Sequence, residues 1–539
     1  MVKNGAHFDF VIVGGGTAGN TVAGRLVENP NVTILIVEAG IGNPQDIPEI
    51  TTPSSAMDLR NSKYDWTYKI TMVKRDDYER VEKLNTRGKT LGGSSSLNYF
   101  TWVPGCKPTF DMWEEYGGKE WTWDPLLPYL RKSVTYHDDP GLYSSDLAKI
   151  GSGGPIHISH AELLDEMAPF REAVTKAWLS RGHGLTENIY DGTMIGLTHC
   201  CDTIYKGTRS GSFLFVQNKP NITILPQVHS KHLIINDADR TCKGVTVIDA
   251  AGQELSFYAD REVILSQVAL VPFVLRVKDG YGMEDHLLRK GPKNDAVVAA
   301  YQKDRSGPVG SGLLELVGFP RIDDYLEKDE KYRRAKAGNG GKDPFCPDGQ
   351  PHFELDFVCM FGSAFQWHYP TPETGNYITI VVDLVRPVSE PGEVTLNSSD
   401  PLVQPNINLN FFANDLDIIA MREGIRFTYD VLTKGDGFKY LVECEYPWEM
   451  PLHSDSEMRR AVLDRCQTAF HPCGTARLSK SIEQGVVDPQ LRVHGIKQLR
   501  VADASVVPVI PDCRIQNSIY MVGENCADMI KAAHQDLYQ

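Results

Sequence analysis

Two runs near the start of the chain are apolar at nearly every position. Phe8 to Val13, and "VTILIVE" ending at Glu38, are rich in β-branched side chains. That is the pattern of strands covered on both faces. Between them the period changes: Ala18, Val22, Ala23 and Leu26 recur at helical spacing. The expectation is strand, helix, strand. Further on, "FDMWEEYGGKEWTWDPLLPYLRKS" reads as an aromatic helical stretch, and the run after Arg514 is also helix-like.

The first strand ends in Gly14, Gly16 and Gly19, spaced G-x-G-x-x-G, with Thr17 and Ala18 opening the helix. Gly14 permits a tight turn, Gly16 lets backbone approach a pyrophosphate, and Gly19 lets helix lie close on sheet. The helix N-terminus offers free N–H groups and the positive end of its dipole. Glu38, at the end of the second strand, stands where an acid accepts hydrogen bonds from a ribose. Together these predict a dinucleotide site without choosing between FAD and NAD.

The 539 residues are 41% hydrophobic and 23% charged, ordinary globular values that argue against disorder. A net charge of −15 argues against nucleic acid as a partner, and means that any anion site must be local. The eleven cysteines are scattered without a CxxC pair, so neither a metal site nor a disulfide framework is expected. The N-terminus goes almost directly into a strand, no apolar run reaches the ~18 residues of a membrane span, and no peroxisomal tripeptide closes the chain. The expectation is a soluble, intracellular, cytoplasmic protein without a membrane partner.

Residues 87–105, "RGKTLGGSSSLNYFTWVPG", form a second glycine-rich loop, flanked by apolar and aromatic residues. Here the chain resembles the glucose–methanol–choline (GMC) family of FAD-dependent oxidoreductases, whose first signature is matched from Gly88 to Asp111. The likeness continues in "YDWTY" (64–68), "GTRSGS" (207–212), "NITILPQVHSKHLIIN" (221–236), "EVTLNSSDPLVQPNINLNFF" (393–412), "FHPCGTARL" and "VVDPQLRVHGIKQLRVADASVVP". It covers nearly the whole chain. It implies an α/β protein, α+β overall, in which a doubly wound, Rossmann-like FAD domain (1–155, 220–267 and 480–539) interleaves with an antiparallel-sheet substrate domain (156–219 and 268–479). It implies that Glu38 meets the ribose, and that Thr90, Leu91, Gly93, Ser94 and Asn98 run along the pyrophosphate and flavin, with Trp102 beyond them. Ser230 takes the position whose backbone meets the adenine, and Asp503, Ala504 and Gln516 complete the contacts. Arg87 opens the loop beside the isoalloxazine; an ion pair anchoring the loop is the alternative.

One departure stands out. After "REVILSQ" (261–267) the family carries a second signature ending in S-G-I-G-P, then a short strand and a D-H-P turn. Here the chain passes straight to "VALVPFVLRVKDG". By family spacing a block of the FAD domain is missing after 267, which bears on FAD retention and stability.

The resemblance makes His471 of "FHPCGT" the catalytic histidine; imidazole is a natural proton acceptor or hydrogen-bond donor beside a flavin. Its family partner is usually His or Asn. Aligned back from Gly523 and Glu524, that position is Arg514. A guanidinium stays protonated and cannot act as a base, but it grips a carboxylate through two parallel N–H donors. The pairing resembles the fungal formate oxidases, a GMC branch with an 8-formyl form of FAD. The expected reaction is oxidation of formate, or another small acid, to CO2, with hydride passing to flavin N5 and O2 reduced to H2O2, while Arg514 and His471 orient the substrate. Alternatives stay open: a GMC alcohol or sugar oxidase or dehydrogenase in which Arg514 merely pairs with Asp512 or a substrate-domain acid, a hydroxynitrile lyase on this fold, and a protein without catalysis. A homo-oligomer is compatible with all of them.

Overall fold

The computed structural model describes residues 2–138, 143–161, 164–262, 271–365, 368–511 and 514–538. The junction after 267 and Asp512 lie outside the described residues. Strand β1 (Phe10–Val13) turns through the glycines into helix α1 (Thr17–Leu26), and β2 (Ile34–Val37) returns parallel to β1. A third parallel strand, β3 (Ile222–Leu225), joins the outer edge of β2.

Side-chain alternation decides what each face meets. Phe10, Ile12, Ile34 and Ile36 pack with Val22 and Leu26 of α1. Val11, Leu35 and Val37 point the other way, onto Val245, Val247 and Phe257 of an antiparallel meander formed by 229–236, 241–248 and 254–259. The expected nucleotide-binding layer is present, with strands rather than a helix covering its second face. The aromatic stretch expected to be helical is broken into Lys107–Asp111, Glu114–Gly117 and Trp123–Lys132. The second of the two breaks falls at Gly118, whose φ of +83° suits glycine.

The other half is built on a six-stranded antiparallel sheet, in the order 442–446, 271–277, 376–384, 353–358, 316–319, 196–199. Two inner strands matter for the site: β4 (Phe353–Val358) and β5 (Asn376–Leu384). Both are buried over nearly their whole length, polar residues included. The chain then crosses back to helix α2 (Gln516–Ala533), which packs on α1. Gly523 permits that approach: a Cβ there would come 2.9 Å from the Thr21 side chain. Arg25 of α1 locks the pair by donating to the buried Glu524 at 2.7 Å. Among the described residues no helix is long and apolar enough to cross a membrane.

Candidate active site

The two glycine loops meet. Gly92 N–H donates to Gly15 O at 2.6 Å, and Leu91 N–H to Ile41 O at 2.8 Å, a position bridged to Thr90. A Cβ on Gly93 would lie 2.9 Å from the Gly16 Cα, whereas one on Gly16 itself would meet nothing within 4 Å. Gly16 therefore faces an open mouth beside the first turn of α1, where Thr17, Ala18 and Gly19 present their N–H groups. Gly14, at φ +95°, makes the turn. Glu38 accepts from Gly15 N–H (3.0 Å) and Gly40 N–H (2.7 Å), which hold the carboxylate at the strand end. Its chain neighbours the strand that carries Ser230, through Val228 N–H to Glu38 O at 3.1 Å.

From this mouth a cavity of ≈ 160 Å³ runs between the two halves. Thr17, Arg87, Ser94, Asn98, His471, Ala504, Arg514 and Gln516 line it, all expected site residues. Asn98 donates to Gln516 Oε1 at 2.8 Å, and Gln516 donates to Phe100 O (2.7 Å) and Thr101 O (2.8 Å), pinning the second loop to the start of α2. Trp102 is placed away from the lining: it is fully buried, with its ring 5.5 Å from that of Tyr520. Tyr99, Phe100, Phe365, Phe470 and Ile515 also line the cavity. The sequence reading missed them, because apolar residues of a pocket wall look like core residues.

Several buried polar atoms here suit a bound dinucleotide and flavin. Among the described residues His471 Nδ1 and Asp503 Oδ2 have no hydrogen-bond partner, although Asp503 Oδ1 accepts from Ser505 N–H at 2.9 Å. With the glycine cradle, these residues fit FAD. Burial pushes Asp503 up to about 7. It also pushes His471 well below the usual imidazole range, helped by the positive charges of Arg514 and Arg87, so the ring is neutral at pH 7. Arg87, fully buried against the cavity, is pushed down by burial to about 9 and remains charged at neutral pH.

Arg514 has companions that the sequence reading left unnamed. Its Nε donates to Glu354 Oε1 at 2.7 Å, and Nη2 donates to Asp356 Oδ2. Both acids lie on one face of β4, two residues apart, and both are wholly buried. Nη1 has no hydrogen-bond partner among the described residues. Burial alone would lower the Arg514 pKa; Asp356, Glu354 and Asp383 raise it well above the ordinary value. The arginine is thus both a cavity wall and one half of a buried ion pair with substrate-side acids. The retrospective signal is the alternation "FELDF": carboxylates on both polar positions of a strand that is otherwise apolar.

Two family models, both described as GMC oxidoreductase, match residues 8–315 and 387–523. The chain belongs to the GMC oxidoreductase family. Pyranose dehydrogenase 3 of Leucoagaricus meleagris is 28% identical over 98% of this chain and 93% of its own length. Choline oxidase of Arthrobacter globiformis is 28% identical over 98% and 95%. A crystal structure of formate oxidase superposes with a TM-score of 0.98 at 76% identity, covering all of both chains. Two further structures, with the same statistics, are of Aspergillus oryzae formate oxidase with an arginine changed to lysine or alanine, and concern the effect on FAD modification. This GMC oxidoreductase is an FAD-dependent oxidase acting on a small molecule.

Proposed function

We propose that the substrate is formate and that the overall reaction is HCOO⁻ + O2 + H⁺ → CO2 + H2O2. The observation that carries this reading is Arg514 and a neutral His471 on the wall of one small cavity. A formate anion has no hydroxyl proton to lose, so a permanently protonated guanidinium is no handicap. Arg514 Nη1 meets the carboxylate, and His471 supplies a second polar contact that fixes where the C–H points. Holding that geometry contributes several kcal/mol to lowering the barrier. FAD, when bound, accepts the hydride and passes the electrons to oxygen. The likeness to formate oxidase supports the same reading, and the two variant structures that concern FAD modification are consistent with a modified flavin, which we take to be the 8-formyl form.

The second reading is an alcohol oxidase in which Arg514 is structural. The pairing with Glu354 and Asp356 favours it, as do the choline and pyranose relatives. Anaerobic mixing separates the two. Formate should bleach the flavin absorbance, and primary alcohols, sugars and mandelonitrile should not. Bleaching by an alcohol with none by formate would discard the proposal, and cyanide release from mandelonitrile without bleaching would favour a lyase. Mass spectrometry of the extracted flavin should show one oxygen gained and two hydrogens lost.

A further inference from the structure

Four buried carboxyl groups surround one guanidinium. Glu354 and Asp356 bind Arg514 directly. Asp383 of β5 stands directly across the sheet from Glu354 in the antiparallel register. Asp202, in the strand Cys201–Asp202, is paired with Thr101 of the cavity wall. Like charges placed opposite one another on a sheet are destabilising. Four carboxylates against one guanidinium would leave a net charge of −3 in a buried cluster, and a carboxylate substrate would be repelled.

The hydrogen bonding shows how this is avoided. Among the described residues Asp383 and Asp202 have no hydrogen-bond partner at either oxygen, although the Thr101 hydroxyl lies near enough to favour the charged form of Asp202. A Cβ at Gly312 would come within 1.8 Å of Asp202 Oδ2, so glycine alone lets backbone close over this acid. An ionised carboxylate with no donor is not tolerated there. Both acids keep their protons, and the remaining pair decides the charge. Burial and the repulsion of Asp356 push Glu354 up to about 7 against the attraction of Arg514. Cys200, which also feels the charge of Glu354, is pushed well above the ordinary thiol range and stays neutral.

We propose that Glu354 is a positioning residue whose single proton sets the charge Arg514 presents to a carboxylate substrate, with Asp383 and Asp202 held neutral behind it. This rests on the reading of Arg514 as the formate clamp. With Glu354 protonated, Arg514 and Asp356 form a neutral pair whose remaining N–H groups can meet the anion; with Glu354 ionised the cluster carries a net charge of −1 and repels it. Asp356 ties down the far side of the fork in either state. Substrate affinity is therefore tuned by pH without any change in Arg514 itself.

The test uses the FAD-loaded protein and acetate, a carboxylate with no hydride on its carboxyl carbon, titrated by calorimetry between about pH 6 and pH 8, where Arg87 stays charged. The dissociation constant should rise about tenfold over that range, and the KM for formate should rise in parallel with little change in kcat. Asp503 also titrates near 7, so the difference made by Glu354→Gln is decisive. Glutamine keeps an oxygen for the Arg514 Nε, and its profile should be flat at the tight-binding level. A Glu354→Gln profile as steep as the parent's would overturn the inference. So would a parent profile that is flat, whether or not the variant folds. Infrared spectra of the flavin-free protein give a readout independent of turnover: a neutral-carboxyl C=O band should be present at pH 7 and weaken in Asp383→Asn, and its absence would refute the neutral pair. If formate is not oxidised but the band is present, the clamp reading fails and the neutral pair stands. If formate is oxidised with a flat profile, the inference alone fails.

Discussion

Arg514 donates through Nε to Glu354 Oε1 at 2.7 Å, tying the chain just before α2 to an inner strand of the antiparallel sheet. The contact crosses between the two halves of the molecule and stands on the wall of the cavity that holds His471. It ties Arg514 to folding as well as to the proposed substrate site.

Arg514→Ala should show both roles. Formate kcat/KM should fall about 10–100-fold from loss of a charge-assisted contact. Stability at pH 7 should fall by about 3–5 kcal/mol, since two buried acids lose their counter-charge. The loss should be smaller at about pH 5, where the carboxyls can take up protons. Thermal melts at the two pH values check it; equal losses would mean that the acids do not depend on Arg514.

His471→Ala should leave FAD content unchanged and reduce formate turnover by roughly 10²-fold, within the range for a positioned imidazole. Because the ring is already neutral at pH 7, the parent rate should show no histidine titration between about pH 6 and 8. Stopped-flow flavin reduction measures both. A rate that survives the substitution would remove His471 from the reaction.

Gly16→Val tests the cradle. A Cβ at Gly16 meets no protein atom within 4 Å, so the chain should fold with a melting temperature close to the parent's flavin-free form. The side chain would occupy the open mouth, and bound FAD should drop at least tenfold by absorbance of the purified protein. Full FAD content would place the pyrophosphate elsewhere.

Stability should also decline with rising pH. Glu354 and Asp503 both sit near 7 when folded, above ordinary values of 4.5 and 3.8. A raised folded-state pKa gives stability that is complete below the unfolded value and is lost as pH rises through the folded one. Denaturation free energy should therefore fall by about 2–3 kcal/mol for each group, about 5 kcal/mol together, between pH 5 and pH 8. Glu354→Gln should reduce that slope, and an unchanged slope would exclude Glu354 as a source.

The nucleotide end was legible because its signals are local. The spacing of Gly14, Gly16 and Gly19 between an apolar strand and a helix-period run is read within a few residues. The parallel layer they predict is present, with Phe10 and Ile12 facing α1 and Val11 facing the meander. His471 and Arg514 were reached through family motifs, and both line one cavity. The surroundings of Arg514 were not legible. Glu354 and Asp356 lie 160 and 158 residues away along the chain. Nothing local says that their strand is covered on its polar face as well, or that register sets Asp383 opposite Glu354. Sequence by itself determined a dinucleotide fold and an arginine where the family has a neutral partner. Only the tertiary structure decided what charge that arginine carries into the cavity, because the answer depends on long-range strand pairing and on burial that keeps protons on acids.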